Sequence, residues 1–252
     1  MKKIVLEGSI RDHDLFVRDY YFGQKTPEFS IEDYFVNPLQ KGSKKFFQDV
    51  YDTFDGKSGT QHALLMTELG ELNCAYIDMK NAGDLLYDSY TVSDHEKFEG
   101  VDSVPLEYSM AARKLAAEDH VREEVADVLM LLYQFAVLSE IDVASIPIKK
   151  LDTKMSLQDV MEKLTGSISS FDHQLNRQAR GREDFSPEQT RQHLINAISY
   201  ANLFAFHMDN KSKIQPINRQ EYVLDDKAKG VQQWFDYKVE RTQQRMDDKG
   251  KK

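Results

Sequence analysis

Downstream of residue 42 the chain reads as a succession of segments with apolar residues at helical spacing. Residues 43 to 54 predict a first helix, with Ser43 as N-cap and Phe46, Phe47, Val50 and Phe54 as its apolar face. Asp55-Gly56-Lys57-Ser58-Gly59 stops it. A second helix is expected from Thr60 to Lys80, carrying the stripe Leu65, Leu69, Leu72, Tyr76 and Met79, with Asn81-Ala82-Gly83 as its C-cap. Gly70 in its interior costs about 1 kcal/mol relative to Ala, which points to a packing or approach constraint. Residues 84 to 105 are polar and predict a loop or lid ending at Pro105, before a long helix from Leu106 to Glu140. The stripe of that helix is Val125, Val128, Leu132 and Phe135, and its apolar run from Val128 to Leu138 is too short to span a bilayer, so it is a core helix. Gly181 ends a further helix. Ser186-Pro187-Glu188-Gln189 supplies the N-cap and first turn of the next. After an irregular connection from Lys211 to Asp226, a last helix from Lys227 to Asp247 places Val231, Trp234, Phe235, Tyr237 and Val239 inward, and the polar tail 248–252 follows. Residues 1 to 40 have no sustained period, and their aromatics and prolines predict an ordered arm wrapped on the helices.

The pattern therefore predicts one all-α domain over residues 1–252, with tandem helical hairpins forming a four-helix core. With 252 residues and 40% hydrophobic content the chain can bury a substantial core. The single cysteine, Cys74, excludes an intrachain disulfide, fits a reducing compartment and reads as a small packed thiol. A net charge of −9 and a pI near 5.3 argue against a nucleic-acid polymer as partner. Glu7, Arg11 and Asp12 interrupt any export segment after Met1-Lys2-Lys3, so a cytoplasmic location off the membrane is expected.

Charge placement adds chemistry to this frame. Glu68 and Glu71 border the stripe of the second helix, and Glu124 and Asp127 take the same offset from the stripe of the long helix. If the stripes pack together, four carboxylates meet along one seam, where like charges and partial burial raise their pKa values unless a cation compensates. All-oxygen ligands favour Mg²⁺ or Mn²⁺ over zinc or copper. Two other readings compete. Isolated carboxylate pairs ordinarily form solvated faces, and a di-iron bundle needs Glu-x-x-His, yet none of the seven histidines stands three residues after a Glu. The Gly56-Lys57-Ser58 string lacks the first glycine of a P-loop and no strand precedes it.

Glu68-Leu-Gly-Glu71-Leu followed by Glu124-x-x-Asp127-Val-Leu resembles the MazG-like nucleotide pyrophosphohydrolases, in the all-α NTP pyrophosphatase superfamily that also contains the dimeric dUTPases. The likeness covers residues 61 to 81 and 120 to 140. One departure is that 52 residues, 72 to 123, lie between the acidic pairs, where the family usually has one or two dozen. The resemblance implies hydrolysis of a nucleoside triphosphate to monophosphate and pyrophosphate, in pool sanitation or as a dUTPase, with Glu68, Glu71, Glu124 and Asp127 as the catalytic metal ligands and Glu68 or Glu71 as general base. Gln61 and Gln134 on the same side can donate and accept as base edges require, without naming the base. Arg113 and His120 lie on the site side of the long helix, and Lys238, Arg241 and Arg245 resemble the basic residues near the C-terminus of such domains, candidates for the phosphates. A noncatalytic helical module that binds a nucleotide or a protein is the alternative.

The chain also echoes itself. Lys163 to Ile168 can be laid on Thr67 to Leu72 with the mid-helix glycine retained, and Gln192 to Ile198 on Glu123 to Leu129. The acidic positions then read Leu164, Ser167, His193 and Asn196. Residues 41–145 are thus expected to be a metal-binding repeat with a 27-residue insertion, because its spacer holds 52 residues and that of the second copy 25. Residues 155–247 would be a degenerate repeat, and such a fused pair either suffices by itself or dimerises again as a homodimer.

Overall fold

The helical periodicity is realised in a computed structural model as six α-helices among the described residues, which are 44–54, 58–88, 106–141, 146, 152–211, 217–218, 223–224 and 230–250. They are α1 (Lys44–Phe54), α2 (Ser58–Asp88), α3 (Leu106–Leu138), α4 (Leu157–Ala179), α5 (Pro187–Lys211) and α6 (Val231–Gly250). The architecture is all-α. Residues 217–218 and 223–224 pair as a two-residue antiparallel ladder inside the segment expected to be irregular. The expected N-terminal arm, residues 89–105 of the expected lid and the side chain of Arg113 lie outside what is described.

α3 is the centre of the assembly and packs against α1, α2, α5 and α6. Its sequence explains this: Val121, Val125, Val128, Leu129, Leu132, Tyr133, Phe135 and Ala136 are all buried, and a helix apolar around most of its circumference must be covered on most sides. α2 offers the narrower stripe Leu65, Leu69 and Leu72 to α3, and Phe46, Phe47 and Val50 of α1 are buried as expected. α4 and α5 form the second hairpin. None of the described helices is long and apolar enough to cross a membrane.

Local chemistry sets the helix ends. Ser156 and Asp159 form a capping box at the start of α4, and the Ser186 hydroxyl accepts the amide of Gln189 at 3.2 Å at the start of α5. α4 ends with Gly181 at φ 61, where the Arg182 amide reaches the Arg177 carbonyl at 3.0 Å, a Schellman closure. α3 ends in the same way, with the Ile141 amide on the Ala136 carbonyl at 2.8 Å. There the left-handed position is Glu140 at φ 56, not a glycine.

Five expectations are corrected. α2 does not stop at Asn81-Ala82-Gly83 but continues to Asp88, since Asn and Gly cost roughly 1 kcal/mol or less in a helix interior and no proline enforces a stop. α6 starts at Val231 and runs through the expected polar tail to Gly250. Tyr237 points outward, 49% exposed, because the buried face of α6 is set by Val231, Phe235 and Val239 four apart and Tyr237 falls between them. Cys74 is exposed rather than packed, since Leu72 and Ala75 take the buried stripe on either side of it. Nothing among the described residues lies within 4 Å of a Cβ built on Gly70, so no close approach by any of them accounts for that glycine.

Contacts between the hairpins are reciprocal to within a helical turn. Extending the echo places Tyr133 on Asn202, Phe135 on Phe204, and Ala75 and Tyr76 on Phe171 and Asp172. Tyr133 and Asn202, at equivalent positions, hydrogen-bond one another in the core, with the Asn202 amide donating at 3.0 Å. Tyr76 meets Phe204 edge-on at 5.9 Å, and Phe171 meets Phe135 edge-on at 5.2 Å. His62 pairs with Asp172, and Lys80 donates to Gln158, the counterpart of His62, at 3.4 Å. Of these contacts the Tyr133–Asn202 pair exchanges without offset under that alignment, whereas Phe171 lies one residue and Lys80 one turn from the exchanged position.

Candidate metal and nucleotide site

Gln61, Leu64 and Glu68 descend α2 while Gln134, Leu131 and Asp127 ascend α3 around one cavity, and Glu71 meets Glu124 about a turn further along. The two helices therefore run antiparallel, with the acidic seam continuing the cavity wall. Oxygens of Glu68, Glu71 and Glu124 lie within 4.8 Å of one another. Burial and the carboxylates of Asp127, Glu71 and Glu124 push the pKa of Glu68 up to about 7. Burial, followed by Asp127, raises Glu124 as well, against the pull of His120.

Glu124 is 8% exposed. Its Oε1 lies 2.9 Å from His120 Nε2, while its buried Oε2 finds no hydrogen-bond partner among the described residues. An orphaned buried carboxylate oxygen beside two further carboxylates is a costly arrangement unless a cation completes it. Three oxygen donors of this kind fit a hard divalent ion, with water completing the coordination.

Asp127, expected as the fourth ligand, does not join the group. Its Oδ2 lies 2.6 Å from the Lys238 ammonium, which also sits 3.0 Å from Glu123 Oε1. Burial raises the Asp127 carboxyl above its ordinary value, and the lysine only partly offsets this. Burial alone would lower Lys238, but the bonds to Asp127 and Glu123 hold it above the ordinary lysine range. Lys238 is thus an ion-pair partner of the acidic seam in this structure.

The cavity beside the seam measures about 280 Å³. Val50, Leu64, Met130 and Leu131 give it apolar walls, with Glu68 and Asp127 at the acidic side and Thr242 and Arg245 contributed by α6. Gln61 and Gln134 are its buried polar groups. Gln134 donates to the Phe47 carbonyl at 3.5 Å, which directs its nitrogen to α1, whereas Gln61 Oε1 is buried with no partner among the described residues. Concave apolar walls with a few placed polar groups are the usual form of a small-molecule site. Arg241 is exposed and is not among the cavity-lining residues.

Two polar links, one ionic and one a hydrogen bond, were not legible in the sequence. Arg122, 4% exposed, holds Asp209 with Nε at 3.4 Å, and Asp209 caps the first amide of α6 with both carboxylate oxygens at 3.2 Å. Trp234 Nε1 donates to Asp119 at 2.9 Å. Together they fix α6 on α3 and so deliver Lys238 and Arg245 to the site. Comparison with protein-family models, curated proteins and solved structures gives no match for the chain.

Proposed function

We propose that the protein is a Mg²⁺-dependent nucleoside triphosphate pyrophosphohydrolase, releasing monophosphate and pyrophosphate, with Mn²⁺ as a competent substitute. The observation that carries the reading is the convergence of Glu68, Glu71 and Glu124 beside a cavity furnished with Gln61, Gln134 and Arg245. The motif resemblance supplies the reaction class.

In this reading Glu68, Glu71 and Glu124 hold the ion. The ion, when bound, neutralises triphosphate charge and makes a bound water a stronger nucleophile at neutral pH. Glu68 or Glu71, whichever keeps a carboxylate oxygen off the ion, is placed to accept the proton as a water oxygen attacks phosphorus and the pyrophosphate leaves. His120 orients Glu124 through Oε1. Arg245 at the cavity is placed to pair with phosphate oxygens, and Gln61 Oε1 to accept an N–H from the base. The α4–α5 hairpin is the degenerate partner of a fused pair in the same reading, which the exchanged contacts at Tyr133 and Asn202 support.

Incubation of the purified protein with canonical and modified deoxynucleoside triphosphates and Mg²⁺, assayed for pyrophosphate, tests the proposal. Release that Glu71→Gln abolishes without loss of helicity is expected. Tight nucleotide binding with no turnover would favour a noncatalytic module.

A further inference from the structure

We infer that the site holds one divalent cation rather than two, and that Lys238 serves as a built-in second cation by keeping Asp127 out of the coordination shell. This rests on the metal-dependent reading above and deepens it.

The acids of the seam divide between two cations. On one side, oxygens of Glu68, Glu71 and Glu124 lie within 4.8 Å of one another, and Glu124 Oε2 is buried without a partner among the described residues. On the other, the Lys238 ammonium bridges Asp127 at 2.6 Å and Glu123 at 3.0 Å, with its side chain only 15% exposed.

The lysine bridge does not depend on an ion for its position. Trp234, one turn before Lys238, donates to Asp119, one turn before Glu123, so the helical spacing that seats the indole also seats the ammonium. Phe235 packs edge-on against Tyr133 at 5.7 Å, and Asp209 caps Val231, which fixes the register of α6 from its far end. For Asp127 to ligate a divalent ion it would have to release Lys238 or turn its other oxygen to the ion, and either way an ammonium would stand partly buried close to a dication. Like charges so placed repel strongly, and the half-buried setting screens them poorly.

Lys238 is therefore a positioning residue. It neutralises Asp127, which would otherwise repel an incoming triphosphate, and it reserves the ion for the three glutamates.

Titration of the full chain with Mn²⁺, followed by the signal of free ion and by calorimetry, counts the sites. One ion is expected for the wild type and two for Lys238→Met. Two ions in the wild type, or one in a folded Lys238→Met, would overturn the inference while leaving the metal-dependent reading in place. No Mn²⁺ bound by the wild type would sink both. Should Lys238→Met not fold, two substitutions with lysine retained decide the matter. Asp127→Asn, in which Glu123 still pairs with the Lys238 ammonium, should leave Mn²⁺ affinity within about threefold, the scale of a screened charge. Glu124→Gln should weaken it by about tenfold or more. An Asp127→Asn loss as large as that of Glu124→Gln would assign Asp127 to the ion and refute the division.

Discussion

Replacing Glu68 by Gln should stabilise the metal-free protein at pH 8 and leave it nearly unchanged near pH 4. The Glu68 carboxyl is pushed up to about 7 in the folded chain, from an ordinary 4.5, by burial and then by Asp127, Glu71 and Glu124. Between those values the folded state binds more protons than the unfolded state. The derivative of stability with pH is then negative, and the group costs stability as pH rises from about 4.5 to about 7. The full difference corresponds to about 3 kcal/mol. Because the side chain is only half-buried, screening reduces the expected effect to about 1 to 2 kcal/mol. For a chain of this size that is about 3 to 6 °C in Tm. Thermal melts in EDTA at pH 4, 5, 6, 7 and 8 would read the difference between variant and wild type. It should be near zero at pH 4, grow through pH 5 to 7 and then level. A difference independent of pH, or a variant less stable at pH 8, would refute the reasoning. Excess Mg²⁺ at pH 8 should erase or reverse the advantage, because the ion favours the ionised carboxylate.

Asp209→Ala should destabilise by about 3 to 5 kcal/mol, because it leaves the buried Arg122 guanidinium without its carboxylate and removes the cap of α6. Urea unfolding followed by Trp234 fluorescence measures this, and a cost below about 1 kcal/mol would show the link to be incidental. Glu140→Gly should raise stability by about 0.5 to 1 kcal/mol by relieving a left-handed non-glycine position at the end of α3; unchanged or lowered stability in the same assay would contradict it. In the fused-pair reading the second hairpin supplies the partner within one chain, so light scattering should give the 29.2 kDa monomer at micromolar concentration, and a stable dimer would contradict that self-sufficiency.

The features visible in the sequence are those with a short-range signature. Leu65, Leu69 and Leu72, and Val125, Val128 and Leu132, recur at helical spacing, and the burial of all six follows from that period. Glu68, Glu71 and Glu124 could be placed together because each sits at a fixed offset from a stripe that had to pack. The Gly181 and Ser186 signals at the turn between α4 and α5 are equally local. Hidden features depend on how remote helices dock. Lys238 and Asp127 are 111 positions apart, and their pairing requires the register of α6 on α3, which Trp234, Phe235 and Asp209 set jointly. From the sequence alone Lys238 is one of several cations on a polar helix. Tyr237 and Cys74 illustrate the opposite failure, in which apolar character invites burial but the helical phase assigns the outward face. Of the sequence candidates for substrate contact, Gln61, Gln134 and Arg245 reach the cavity wall, His120 and Lys238 pair with acids of the seam, and Arg241 faces solvent.

The most direct measurement on the proposed chemistry is the phosphorus NMR spectrum of a deoxynucleoside triphosphate incubated with the protein and Mg²⁺. Cleavage at the α–β link predicts paired growth of monophosphate and pyrophosphate signals, lost in Glu124→Gln and in EDTA. Appearance of diphosphate and orthophosphate, or an unchanged triphosphate across the whole nucleotide panel, would contradict the account.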